Sequence, residues 1–206
     1  MSAATFIRSL AGDRRGVTAV EFAIVALPLS MLLMGGFDLG HQAYIRSVMQ
    51  GALTDAARRA SVQDPELAAS GSTTEEQVTN SIKDQLAAIT PGATITVTES
   101  NFYDFSGIGN PEKLMTDVNA NGEYDAADND CFSDLNENGK YDSDTGRDGI
   151  GGANDVAFYK ADIDMPRLLP VARLMGFSPN YRMSVATAVR NQPHGTQKTP
   201  PVVCGS

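Results

Sequence analysis

Hydrophobic and polar positions divide the chain into an apolar run, a stretch of helical periodicity, three alternating segments and a long acidic interruption. Val17 to Phe37 carries a single charged residue, Glu21. At about 1.5 Å of rise per residue these positions make a helix of roughly 31 Å, enough to cross a hydrocarbon core of about 30 Å. Beyond it Tyr44, Val48, Ala52, Leu53 and Ala56 recur at helical spacing, and after Pro28 no proline interrupts the chain until Pro65. The pattern predicts one long helix from Val17 to about Ser61, with Pro28 kinking or loosening it where its ring removes a backbone hydrogen bond.

A second, shorter amphipathic helix is predicted over Thr74 to Ile89. Val78, Ile82, Leu86 and Ile89 fall on one face, and Thr74 with Gln77 three residues later forms a capping-box pattern. Pro91-Gly92 ends it. Alternation then predicts strands over Ala93 to Ser100, with Ile95 and Val97 facing one way, over Asp155 to Met165 and over Tyr181 to Val189. The fold class is α+β: a long N-terminal membrane-spanning helix, then a small domain with a short helix and a roughly three-stranded antiparallel sheet.

Charge orients the apolar run. Arg8, Arg14 and Arg15 precede it against one acid, Asp13, and Asp38 follows it. The positive-inside bias therefore keeps the N-terminus cytoplasmic and puts the chain after Phe37 on the other side. Glu21 stands out, because a carboxylate well inside a membrane helix costs roughly 2.5 to 3.5 kcal/mol and needs a partner. Either it reaches the cytoplasmic headgroups or it pairs with a cation.

Gly16-Val17-Thr18-Ala19-Val20-Glu21-Phe22 resembles a prepilin cleavage junction, in which a basic leader ends in glycine and the mature helix has glutamate at its fifth position. The continuation to about Ser61, through Glu21-Phe22-Ala23, Pro28, Phe37-Asp38, Gly40 and an Ala-rich stretch ending Arg58-Arg59, is similar to the TadE-like pseudopilins of tight-adherence (Tad) pilus systems. The resemblance implies cleavage between Gly16 and Val17, and pairing of Glu21 with a new N-terminal amine, usually a neighbouring subunit's, where water is scarce. Phe22 completes the junction. A secretory signal peptide fits less well, since the apolar core exceeds the usual 7 to 15 residues and no A-x-A follows it. Gly36 and Gly40 give a G-x-x-x-G spacing that permits close helix approach, a weak pattern when alone. The expected organisation is a basic leader over 1–16, a membrane-spanning and extended helix over 17–61, and an extracytoplasmic domain over 62–206 with an insertion at 101–150.

That insertion carries the protein's acidity. Between Asn101 and Ile150 twelve Asp and Glu face three basic residues, a net of −9, which equals the formal charge of the whole chain. Such a surface excludes nucleic acid as a partner. Within it, Asp117-x-Asn119-x-Asn121-Gly122-x-x-Asp125-x-x-Asp128 sets oxygens at loop positions 1, 3, 5, 9 and 12 with glycine at 6, the order of an EF-hand calcium loop, and Glu123 at position 7 would offer its carbonyl. Seventeen residues on, the pattern returns as Asp134, Asn136, Asn138, Gly139, Lys140 and Asp142, with Tyr124 and Tyr141 in matching positions. Position 12 of the second copy is Thr145, so Asp144 or Asp148 would have to close it. Both copies resemble dockerin-like extracellular calcium loops. One or two structural Ca²⁺ ions are the expectation, holding together a segment with few apolar residues; the competing reading is a solvated Asn/Gly-rich turn region without metal.

Cys131 and Cys204 suit one disulfide in an oxidising compartment, although their spacing also allows free or intermolecular thiols. The histidines, His41 and His194, lie in different regions with no nucleophile motif beside them, so an enzyme is not expected. Asp162 and Asp164 read as the solvent face of a strand, and the tail from Gln192 as extended or mobile apart from Cys204. The resemblance implies a minor pilin-like or pseudopilin component of Tad pilus assembly, anchored in the inner membrane with a periplasmic or extracellular domain. Its implied partners are a prepilin peptidase, other pilins and pseudopilins, and inner-membrane platform proteins. The alternative is an unprocessed single-pass membrane protein presenting a calcium-stabilised adhesion domain.

Overall fold

The computed structural model describes residues 16–63, 65, 67–169, 173 and 176–205. The leader therefore lies outside the described residues except for Gly16. Tertiary contacts divide the chain into two compact units, one of Met1–Ala43 with Arg167–Pro179 and one of Tyr44–Pro166 with Asn180–Ser206. The architecture is α+β, with one long apolar helix, one short helix and antiparallel sheets.

Helix α1, Val17–Ala60, contributes to both units and is not broken at Pro28. Its C-terminal part is amphipathic. In the larger unit Ile45, Met49, Leu53, Ala56, Ala57 and Ala60 are buried, whereas Tyr44 is exposed and Val48 only partly covered. The packed stripe is thus rotated by one residue from the Tyr44/Val48 spacing, because Ile45 and Met49 repeat at the same interval and bury without a hydroxyl to satisfy.

Helix α2, Thr74–Ala87, presents Val78, Ile82 and Leu86, all fully buried. Each such side chain stabilises the core by roughly 1.5 to 3 kcal/mol. Its N-cap falls one residue before the expected position: the Thr73 hydroxyl accepts from the Glu76 N–H at 3.2 Å, and Glu76 Oε2 accepts from the Ser72 N–H at 2.7 Å. Thr73 wins because it, unlike Thr74, has the extended backbone that an N-cap requires.

Both helices cover one face of a four-stranded antiparallel sheet of β1 (Thr94–Phe102), β4 (Arg147–Asp148), β5 (Val156–Pro166) and β6 (Asn180–Arg190), in the order β4-β1-β5-β6. The three strands read from alternation lie side by side, and the short β4 is added by the acidic insertion. Strand β5 turns Ala157, Tyr159, Ala161, Ile163 and Met165 inward, with Ile95 and Val97 of β1 packed beside them. On the outer face Asp162 pairs with Lys160 at 3.1 Å and Asp164 with Arg182 at 2.8 Å.

A second sheet has no counterpart in the alternation pattern. Its strands β2 (Lys113–Thr116), β3 (Cys131–Ser133) and β7 (Val202–Cys204) run in the order β2-β3-β7, so the tail is a strand along the insertion. Cys131 and Cys204 sit opposite each other in that ladder and form a disulfide.

Candidate functional site

The apolar part of α1 is exposed all round. None of its most apolar window is buried within the protein, and Val20, Phe22, Ile24, Leu32 and Leu33 are each more than half exposed. A helix with no polar face and, among the described residues, no covering partner over its most apolar window suits lipid, where every backbone group must be satisfied internally. Glu21 is exposed on this surface. Among the described residues, nothing outside the local helix backbone lies within 4 Å of where a Cβ would stand on Gly35, Gly36 or Gly40.

At the end of the apolar run Asp38 is 7 % exposed although its neighbours Phe37 and Leu39 are both more than 60 % exposed. Arg167 reaches it, Nη1 to Oδ2 at 2.5 Å.

The two Asp/Asn/Gly loops fold alike. In the first, Asp117 accepts the N–H groups of Asn121 (3.2 Å) and Gly122 (2.7 Å), Asn119 Oδ1 accepts from Asn121 (2.9 Å), and Asn121 Oδ1 accepts from Glu123 (2.7 Å). In the second, Asp134 accepts from Asn138 (3.1 Å) and Gly139 (2.8 Å), Asn136 from Asn138 (3.2 Å), and Asn138 from Lys140 (2.8 Å). Gly122 and Gly139 take φ of +81° and +76°, a conformation that explains the glycine at position 6 of each loop. The side chains at positions 1, 3 and 5 are thereby turned toward their own loop.

The closing halves differ. Asn119 Nδ2 donates to Asp128 in the first loop, whereas in the second Asn136 and Asn138 donate to Asp142, at 2.9 and 2.5 Å. These amides hold the Asp142 carboxyl below its ordinary pKa. Thr145 is buried, its hydroxyl bonded to the Gly107 carbonyl at 3.1 Å, and Asp144 caps the Gly146 N–H at 3.0 Å. Asp125 likewise caps Ala127 at 2.9 Å. Among the described residues no three Asp, Glu, His or Cys side chains converge as a metal site. Asparagine supplies the acceptors at positions 3 and 5, and the carboxylates of Asp125 and Asp144 serve local turns.

Each loop is clamped by a buried carboxylate from outside it. Asp130 accepts from Val118 (2.8 Å) and Asp125 (2.9 Å), and Glu112 accepts from Leu135 (2.8 Å) and Asp142 (3.1 Å). In both cases the donors are loop positions 2 and 9. Burial pushes the Glu112 carboxyl up, against the pull of the N–H groups it accepts. Tyr124 and Tyr141 stack at 4.6 Å between centroids, and Phe132 meets both edge-on at 5.1 and 5.5 Å. Cohesion assigned to metal from composition thus has protein sources as well. The matched tyrosines were legible in the repeat; Glu112 and Asp130 lie outside it and carry no signal that separates them from the other acids.

Elsewhere, burial and the nearby Glu75 push the Glu99 carboxyl up to about 7. Perturbation of that size can mark catalysis. Here the carboxyl accepts from the Thr79 hydroxyl at 3.4 Å beside the buried Tyr159, whose own hydroxyl is pushed up by burial and in turn by this carboxylate's charge.

Comparison with protein families matches residues 16–58 to the model described as TadE-like protein. Searches of curated proteins and of solved structures find no match. The matched segment ends within α1, so the sheets and the acidic insertion lie outside it.

Proposed function

From the premise that residues 16–58 are TadE-like, we propose that this protein is a minor pilin-like component of a Tad pilus assembly system, anchored in the inner membrane by Val17 to Phe37. The observation that carries this reading is the coincidence of the family match with a helix whose most apolar window is unburied among the described residues and bears one exposed carboxylate, Glu21. TadE-like proteins belong to pilus assembly and are not an enzyme family.

A prepilin peptidase cuts between Gly16 and Val17 in this account, leaving Glu21 at the fifth position to pair with a free α-amine as the helix joins its neighbours. The sheets and insertion then lie on the periplasmic side, where the Cys131–Cys204 disulfide persists. Replacing Glu21 by glutamine removes the charge and keeps the shape. The expected result is a cleaved, membrane-inserted protein that no longer co-purifies with the other pilus components; unchanged co-purification contradicts the role given to Glu21.

Calcium belongs to the same proposal. The oxygens of Asp117, Asn119, Asn121 and Asp128, with the Glu123 carbonyl, would hold one ion; those of Asp134, Asn136, Asn138 and Asp142, with the Lys140 carbonyl, a second. The turned-in side chains and the positive-φ glycines support this, and bound ions would add cohesion to the net-negative insertion. Chelation is expected to raise protease sensitivity across Asp117 to Asp148 while leaving α1 intact; equal sensitivity with calcium and with chelator removes the idea.

A further inference from the structure

We infer that Leu168, Arg173 and Phe177, described residues of the β5–β6 connection, make a second membrane contact at the bilayer surface where α1 emerges. Turns that face water are polar, since each needs solvent for its backbone and rarely hides apolar side chains. This one is not. Between Arg167 and Ser178 the chain reads Leu-Leu-Pro-Val-Ala-Arg-Leu-Met-Gly-Phe, with one charge, Arg173.

Arg167 fixes where the turn sits. Its N–H bonds the Pro179 carbonyl at 2.9 Å and its Nε the Ser178 carbonyl at 2.9 Å, which closes the neck, and its Nη1 bonds Asp38 at 2.5 Å. Asp38 directly follows Phe37, the last residue of the apolar run. One residue of helix rise is about 1.5 Å, so the neck is tied to α1 at the level where the hydrocarbon core ends. The turn and this end of α1 belong to one compact unit.

At that level the unit leaves large apolar side chains uncovered. Leu168 and Phe177, on the two sides of the turn, are 51 % and 62 % exposed, beside Phe37 at 62 % and Leu39 at 66 %. Leu168 directly follows Arg167, and Phe37 and Leu39 flank Asp38, so the ion pair brings these exposed apolar residues to the same end of the unit. Arg173, also exposed, adds a cation suited to anionic headgroups. The occupant that matches apolar side chains, a basic residue and the exit of a membrane helix is the lipid interface, in which aromatic side chains are favoured. The turn lies outside the TadE-like match, so the family assigns it nothing.

The inference rests on Val17 to Phe37 spanning the bilayer, and the test separates the two. The chain contains no tryptophan, so single substitutions report alone. The full chain is reconstituted in phosphatidylcholine vesicles with a minority of phosphatidylglycerol, carrying brominated acyl chains, as Phe177→Trp, Leu32→Trp or Phe105→Trp. All three replaced residues are exposed, so the fold tolerates the change. Phe177→Trp is expected to emit to the blue of Phe105→Trp and to be quenched most by bromines just below the headgroups, while Leu32→Trp is quenched by deep bromines. Water-like, unquenched emission from Phe177→Trp beside a quenched Leu32→Trp overturns the second contact and leaves the span standing. Blue emission from Phe177→Trp without bromine quenching also overturns it, because a protein neighbour and not lipid then covers the turn. An unquenched Leu32→Trp overturns the span and this inference with it.

Discussion

Replacing both Cys131 and Cys204 by serine is expected to destabilise the larger unit by about 4 kcal/mol, the chain-entropy value for a cross-link that closes a loop of this length. The bonded residues are 73 apart in sequence, so the unfolded chain recovers a large amount of freedom when the link is absent. Upstream of β7 the tail is held by Gln197, whose Nε2 donates to the Tyr103 carbonyl at 2.7 Å and to Asp155 at 2.8 Å, and by the pairing of Lys198 with Glu137. Strand β7 has three residues and a single neighbour, β3. Its flanks nevertheless touch both loops: the Gly205 N–H bonds the carbonyl of Asp130, and Asp134, the first residue of the second loop, donates to the Pro201 carbonyl, each at 2.9 Å. Gly205 is required there, because a Cβ would stand 2.3 Å from the Ala126 carbonyl oxygen. Losing the link should therefore release β7, downstream of the contacts made by Gln197 and Lys198, and then loosen both loops, before the helices and the four-stranded sheet are affected. Urea unfolding of the detergent-solubilised chain, followed by amide exchange, reads both effects. A midpoint shift worth less than about 1 kcal/mol would show that β7 is held by its own pairing.

Glu112→Ala is expected to open the second loop selectively, at a cost of about 2 kcal/mol. Two N–H groups, of Leu135 and Asp142, lose a buried acceptor; both residues are half-buried, so each N–H left unsatisfied costs toward the lower part of the roughly 1 to 3 kcal/mol of a fully buried donor. Glu112 is 2 % exposed, so water does not readily replace it. Part of the loss is offset, because the desolvation that raises its pKa disappears with the carboxyl. Glu112→Gln keeps one acceptor oxygen and should fall between the two. Asp130→Ala is the matching change for the first loop, where Val118 and Asp125 are the donors. Amide exchange at Leu135 and Asp142, unprotected in Glu112→Ala and protected in Asp130→Ala, is the expected pattern. Loss of protection in both loops from either change would mean that the aromatic contacts of Tyr124, Tyr141 and Phe132 bind them into one cooperative unit.

What the sequence conveyed well is what periodicity encodes. Val78, Ile82 and Leu86 bury as their spacing requires, and Ile95 and Val97 share the inward face of β1. The face of α1 was legible only to within one residue, since Tyr44 and Ile45 both continue a helical series and the sheet beneath selects between them. The first half of each acidic loop was equally readable, because D-x-N-x-N-G specifies side-chain-capped turns and a glycine at positive φ locally. Strands β2, β3 and β7 were not. Runs of three or four residues are too short to show alternation, and their pairing joins segments far apart in the chain. Glu112 and Asp130 were hidden for a related reason: a buried clamp and a solvated acid are the same letter, and only the backbone donors brought around them set them apart.

In the function proposed above, a membrane helix that begins at Val17 once its leader is removed holds a folded domain on the far side of the bilayer. The most direct test is the intact mass of the protein extracted from membranes of cells with an active prepilin peptidase. A chain that starts at Val17 is the expected result. One that starts at Met1, or after Gly36 as signal-peptidase release would leave it, contradicts the account.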